Sequence, residues 1–282
     1  MLDFNNYQET EAQINSRIEK IATVPMSEQE KKLAYQTILG CTDLTSLEGN
    51  DHYAKIISIC QQAKTFSAQG PDIPNVAAVC FYSPFIRAAK RELANTGIKV
   101  ATVAAGFPSG QIPLALKVAE CEYAVSRGAH EVDIVISRGK IIEGHCQESY
   151  DEISTLKKAC DKAKMKVILE TGELENIENI RKASEVSIMA GADFLKTSTG
   201  KIKPAATPQA FLIMLDTIKE YFESTGKMVG IKAAGGIAEP ADALMYYSLV
   251  KEILGEAWLN KKYFRIGASK LAQKLADEIK RL

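Results

Sequence analysis

Gly191-Ala192-Asp193-Phe194-Leu195-Lys196-Thr197-Ser198-Thr199-Gly200-Lys201 begins as a short β-type run and ends in the small hydroxyl and glycine residues of a turn. A helical pattern precedes it over 176–190 and another follows over 207–222, so it reads as the strand of one β/α unit. The unit recurs. Further candidate strands lie at 37–42, 76–82, 99–105, 131–136, 165–170, 229–233 and 263–266, beside this one at 193–197. Helical patterns at about 51–64, 84–95, 112–127, 147–163, 239–254 and 268–281 fill the other intervals. Eight such units predict a closed (β/α)8 TIM barrel. The competing open, doubly wound sheet is disfavoured, because no Gly-x-Gly-x-x-Gly follows the first strand and there are eight units. Gly128 and Gly191 stand where helices end ahead of strands four and six.

Residues 7–35 form a polar helical stretch with Ile14, Ile18 and Ile21 on one face and Pro25 interrupting. They predict an N-terminal helical extension, residues 1–36, of one domain spanning 1–282. No Pro/Ser-rich linker or low-complexity segment divides the chain.

Lys+Arg and Asp+Glu are both 35 in this 282-residue chain, so no net charge draws it to nucleic acid or to a membrane. No apolar run approaches the length of a membrane span. The six cysteines, Cys41, Cys60, Cys80, Cys121, Cys146 and Cys160, form no Cys-x-x-Cys pair, and the opening Met1-Leu2-Asp3-Phe4-Asn5-Asn6 lacks a secretory pattern. Reduced thiols and a cytoplasmic location are expected. The three histidines are far apart and lack zinc spacing, which disfavours a metal-dependent mechanism.

In a barrel of this kind function sits at the C-terminal ends of the strands. Lys196 stands in an apolar run, where a charged side chain needs compensation. A phase that turns Lys196, Lys232 and Asp133 inward puts all three in one mouth, and Glu131 then shares the face of Asp133 unless it lies at the far end. Two ammonium groups about 4 Å apart repel by roughly 4 kcal/mol at an effective dielectric near 20. That is enough to bring one lysine from about 10.4 toward neutrality, and a neutral amine condenses with carbonyls. Equally, Asp133 pairing with a lysine would raise its pKa and remove the nucleophile. The residues alone leave both readings open.

Thr199-Gly200-Lys201, Ala234-Gly235-Gly236 and Gly267-Ala268-Ser269 follow strands six, seven and eight. Glycines let backbone N–H groups approach an anion, and a helix starting near Ser269 would aim its N-terminus at it. A phosphate site is expected there.

With Thr42-Asp43-Leu44-Thr45, Ala77-Ala78-Val79-Cys80, Ala101-Thr102-Val103, Gly106-Phe107-Pro108, Glu131-Val132-Asp133, Glu170-Thr171-Gly172-Glu173-Leu174 and Gly230-Ile231-Lys232 in order, residues 38–275 resemble the deoxyribose-phosphate aldolase family of class I (Schiff-base) aldolases. The resemblance implies reversible cleavage of 2-deoxy-D-ribose 5-phosphate to D-glyceraldehyde 3-phosphate and acetaldehyde. It implies Lys196 as Schiff-base nucleophile, Lys232 as the residue that keeps it unprotonated and moves protons, and Asp133 as general acid/base through a water. Asp43, Thr45, Cys80 and Thr199 would support the lysines or line the pocket. Gly200, Lys201, Gly235, Gly236, Gly267 and Ser269 would hold the phosphate. No cofactor or metal is implied; the partners are a small phosphosugar and aldehydes, and a homo-oligomer, as a dimer, is expected. Alternatives are a Schiff-base aldolase for another phosphosugar and a non-catalytic phosphosugar-binding barrel.

Three features depart from the family pattern. Lys-Pro-Ala-Gly-Gly reads Lys232-Ala233-Ala234-Gly235-Gly236, Lys270 replaces a second serine, and the closing Glu278-Ile279-Lys280-Arg281-Leu282 holds no tyrosine.

Overall fold

Thr10 and Ser27 each open a helix by reciprocal capping. The Ser27 hydroxyl accepts from the Glu30 amide while the Glu30 carboxylate accepts from the Ser27 amide, and Gln13 serves Thr10 in the same way. In the computed structural model, which describes residues 4–282, these helices are α1, Glu11–Ala22, and α2, Glu28–Gly40. Pro25 lies in the connection between them. The stretch 37–40, expected to begin the first strand, therefore completes a helix. Ala34, Tyr35, Ile38 and Leu39 are buried at helical spacing, and this packing overrides the strand-like look of Thr37-Ile38-Leu39.

The barrel starts at β1, Thr42–Thr45, followed by α3, Tyr53–Thr65. It continues with β2, Ala78–Phe81, and α4, Ile86–Glu92, then β3, Lys99–Ala104, and α5, Leu114–Ser126. β4, Glu131–Val135, is followed by a short α6, Arg138–Ile142, and by α7, Cys146–Ala159. β5, Lys164–Ile168, leads to α8, Ile177–Met189, and β6, Phe194–Lys196, to α9, Pro208–Thr225. β7, Gly230–Ala234, with α10, Pro240–Leu254, and β8, Phe264–Ala268, with α11, Leu271–Arg281, close the circuit. Every strand is parallel to both neighbours, and β8 pairs with β1. α1 packs on α9 and α10, and α2 on α10 and α11; Arg17 of α1 also makes a two-pronged ion pair with Asp216 of α9 at 2.7 Å.

Side-chain alternation sorts the strands into two faces. Val132, Ile134, Met165, Val167, Leu195, Ile231, Phe264 and Ile266 point outward into the apolar shell under the helices. Burial of such side chains, worth about 1.5–3 kcal/mol each, supplies the stability of the shell. The opposite phase turns Asp43, Asp133, Lys166, Lys196, Lys232 and Arg265 into the barrel. Register makes several of these direct neighbours: Asp133 beside Lys166, Lys196 beside Lys232, and Lys232 beside Arg265. Among the described residues no helix is long and apolar enough to cross a membrane.

Candidate active site

Seven charged side chains fill the barrel interior. Arg265 sits lowest, where its guanidinium holds both oxygens of Glu131 at 3.0 and 2.6 Å and Asp43 Oδ1 at 2.5 Å. Lys166 bridges upward, with its ammonium 2.6 Å from Glu131 Oε2 and 2.8 Å from Asp133 Oδ1. Phe194 lies beside this layer with its ring 5.9 Å from Lys166 Nζ and 5.7 Å from Arg265 Cζ, within cation–π range. Its ring fills the space that a side chain on Gly230 would need, which explains the glycine at the start of β7. Glu131 thus does share the inward face of Asp133, and its partners are a layer deeper than the mouth.

Above this layer the two mouth lysines meet. Asp133 Oδ2 accepts from Lys196 Nζ at 2.8 Å and from Lys232 Nζ at 2.9 Å, and Lys232 also donates to Asp43 Oδ2. Asp133 is wholly buried and Lys196 only 2 % exposed. Gly267 leaves room for this arrangement, since a Cβ there would lie 3.0 Å from Lys232 Cε.

The electrostatics separate the lysines. Burial alone would lower Lys232 and Lys166, but the carboxylates they touch outweigh it and raise both. Lys196 goes the other way. Burial lowers it, Asp133 opposes, and the neighbouring Lys232 charge lowers it further, leaving a net depression. Burial alone would raise Asp133, yet the ammonium groups of Lys166, Lys196 and Lys232 hold its carboxyl well below the usual range. Charge counting gives the same result. Among the described residues, Lys166, Lys196, Lys232 and Arg265 face only Asp43, Glu131 and Asp133, and the cluster is neutral when one lysine has lost its proton. Lys196 has the fewest carboxylate partners of the four cations.

Lys196 and Lys232 form one end of a cavity of about 260 Å³. Thr45, Thr199, Gly200, Lys201, Gly235, Gly236, Gly267 and Ser269 line it, so these expected pocket and phosphate residues share one space. Asp43 and Asp133 do not line it; they lie beneath the amines. Gly235 needs a left-handed φ of +87°, and a Cβ there would strike Ala205 and the Gly200 backbone. The loops after β6 and β7 can therefore touch only through glycine. Thr199 is held by Glu170, whose oxygens accept from the Thr199 amide at 3.2 Å and from its hydroxyl. The Thr45 hydroxyl donates to the Asp43 carbonyl at 2.8 Å. Cys80 belongs to a small apolar cluster with Leu47, Ala101 and Val103, flanked by Tyr82 and Phe107. Burial pushes its thiol up to about 11, and Cys80, expected to line the pocket, lies behind it and does not line the cavity. Among the described residues no group of three or more His, Cys, Asp or Glu side chains is placed to hold a metal ion.

A DeoC/LacD family aldolase profile matches residues 37–250. This chain belongs to that family. It is 42% identical to deoxyribose-phosphate aldolase of Homo sapiens over 248 residues, which is 84% of this chain and 78% of the human protein. The Mus musculus deoxyribose-phosphate aldolase is likewise 42% identical over 247 residues, with the same coverage of both chains. Among solved structures, the tetrameric deoxyribose phosphate aldolase from Aeropyrum pernix superposes with a TM-score of 0.69 at 22% identity, over 96% of this chain and 99% of that one, a likeness of fold.

Several residues of this aldolase's site escaped the sequence reading. Lys166 and Arg265 were available as charges inside β-type runs, the same signal that singled out Lys196, but their partners, Glu131 among them, lie on strands far apart in the chain. Glu48 and Leu47, from the loop after β1, carry no signal of their own, and Lys270, marked in the sequence only as a departure from the family pattern, joins them at the cavity.

Proposed function

We propose that this aldolase cleaves 2-deoxy-D-ribose 5-phosphate reversibly to D-glyceraldehyde 3-phosphate and acetaldehyde, with Lys196 as the Schiff-base nucleophile. The observation that carries this reading is one cavity with two unlike ends. At its floor are two lysines sharing a carboxylate oxygen, only one of them with a lowered pKa. At its rim are the glycine turns and the start of α11, a fit for a phosphate. The names of the 42% identical relatives support the substrate.

The chemistry follows from these ends. Neutral Lys196 Nζ adds to C1 of the open-chain sugar, and loss of water gives an iminium. Removal of the proton from the C3 hydroxyl breaks the C2–C3 bond, the iminium takes up the electron pair as an enamine, and glyceraldehyde 3-phosphate departs. Protonation at C2 and return of the water release acetaldehyde and the amine. Lys232 delivers and recovers protons, a role supported by its place in the cavity lining and by its raised pKa. Asp133 orients both amines. Its acid–base duty, through a water, is assigned to the carbinolamine and C–C cleavage steps. Asp43 fixes Lys232, Thr45 lines the pocket for the two-carbon fragment, and Gly200, Lys201, Gly235, Gly236, Gly267 and Ser269 hold the phosphate.

Borohydride reduction in the presence of acetaldehyde tests the mechanism. An ethyl group is expected on Lys196, and its absence from folded protein refutes the Schiff base. The same reading takes residues 1–282 as one domain located in the cytoplasm, which fractionation of the source cells would check. It keeps a homo-oligomer, as a dimer, supported by the apolar Leu114, Leu116 and Tyr123 that α5 exposes. Sedimentation equilibrium distinguishes a dimer from a tetramer or a monomer.

A further inference from the structure

The outer end of the cavity holds two lysines in unlike situations. Lys201 Nζ is 3.1 Å from Glu48 Oε1, an ion pair between the loops after β6 and β1 that lies across the rim. Lys270 lines the same cavity and, among the described residues, is in no ion pair. It occupies the N-cap position of α11, where no side chain caps the helix, so the first-turn amides of an 11-residue helix are left for another acceptor. Ala268 and Ser269, on the same turn, line the cavity too, and across from them lie Gly235 and Gly236 with left-handed φ values of +87° and +81°.

A phosphate monoester carries about −1.5 to −2 charges at pH 7 and three acceptor oxygens. Backbone amides supply only partial charge toward it, so full compensation needs two cations at this end. Lys201 is already compensated by Glu48. Among the described residues, Lys270 is the cation at this end without a counter-charge.

Resting on the proposed reaction with a phosphorylated sugar, we infer that Lys270 is a specificity-determining residue of this aldolase. Its ammonium meets the incoming phosphate first, and Glu48 is a competitor that the phosphate displaces from Lys201. A dianionic phosphate can take over both lysines. A neutral sugar cannot separate Lys201 from Glu48 and gains nothing from Lys270. The pair therefore sharpens selection for the phosphorylated substrate and keeps Lys201 from drawing weaker anions into the mouth.

The test compares kcat/KM for 2-deoxyribose 5-phosphate with that for unphosphorylated 2-deoxyribose, in the full chain and in Lys270→Gln, Lys270→Arg and Glu48→Gln. Loss of one charge-assisted contact predicts that Lys270→Gln lowers the preference for the phosphorylated substrate roughly tenfold, through KM. Lys270→Arg, which keeps the charge, should retain most of it. Glu48→Gln should lower KM for the phosphorylated substrate several-fold, and this gain should vanish when Lys201→Gln is added. An unchanged preference in Lys270→Gln overturns the assignment of Lys270. Equal loss on both substrates also overturns it, since the residue would then act on the barrel rather than on phosphate. A full chain that shows no preference for the phosphorylated sugar is a different failure: it removes the phosphate reading itself.

Discussion

Replacing Lys232 by Met removes the charge beside Lys196 while keeping an unbranched side chain. Both ammonium groups contact Asp133 Oδ2, at 2.8 and 2.9 Å, so they stand about 5 Å apart. At an effective dielectric near 20 their repulsion is about 3 kcal/mol, or roughly a hundredfold in the fraction of Lys196 that is unprotonated. The variant also leaves Asp133 to Lys196 and Lys166 alone, which strengthens the pairing that holds a proton on Lys196. Both effects have one sign: the lysine amine becomes more basic, so less of it is neutral at pH 7. The acid limb of the kcat/KM profile is expected to move about two pH units toward alkaline. Borohydride trapping with acetaldehyde should slow by a similar factor at pH 7 and recover in alkaline buffer. Trapping isolates imine formation, so it separates this effect from loss of Lys232 as a proton carrier, which would slow turnover without moving the trapping profile. A trapping profile unmoved from that of the full chain, in protein with native circular dichroism, refutes the charge-repulsion account.

Lys196→Met should abolish trapping and raise stability. The folded pKa of Lys196 is depressed, so below the usual lysine value the unfolded chain binds the proton better, and ordering this side chain opposes folding at neutral pH. An apolar replacement leaves three cations facing three carboxylates, and a gain of roughly 1–2 kcal/mol, a few degrees in Tm, is expected; a melting temperature that falls contradicts the reading. Arg265→Met should do the reverse, because it strips Glu131 and Asp43 of a buried partner, a loss of roughly 3–5 kcal/mol in a denaturant titration. It also removes the excess positive charge, so the surviving activity should shift toward alkaline pH; a loss below about 1 kcal/mol with an unmoved profile would show that this lower layer carries neither role.

The eight strand–helix units were legible because a buried parallel strand and an amphipathic helix differ in length and period, and neither signal depends on distant residues. The error at 37–40 arose where those signals conflict. Thr37-Ile38-Leu39 has the composition of a strand, but the capping pair Ser27–Glu30 and the buried row from Ala34 to Leu39 make it the end of α2. Lys196, Lys232 and Asp133 could be singled out as charges in apolar strands at the right ends, and strand alternation brought them to one face.

What the sequence by itself determined is therefore the barrel, its open end and the short set of groups from which a site could be made. It left undecided whether Asp133 would neutralise Lys196. Only the closed barrel decided this, by setting β6 beside β7 so that one oxygen of Asp133 serves both mouth lysines, and by placing Lys166, Glu131 and Arg265 beneath them. A pKa depends on every charge within a few ångströms, and those charges come here from β1, β4, β5, β6, β7 and β8. Chain order cannot sum them. The same holds at the rim, where the pairing of Glu48 with Lys201 and the place of Lys270 beside the cavity exist only because strands one, six and eight end at the same mouth.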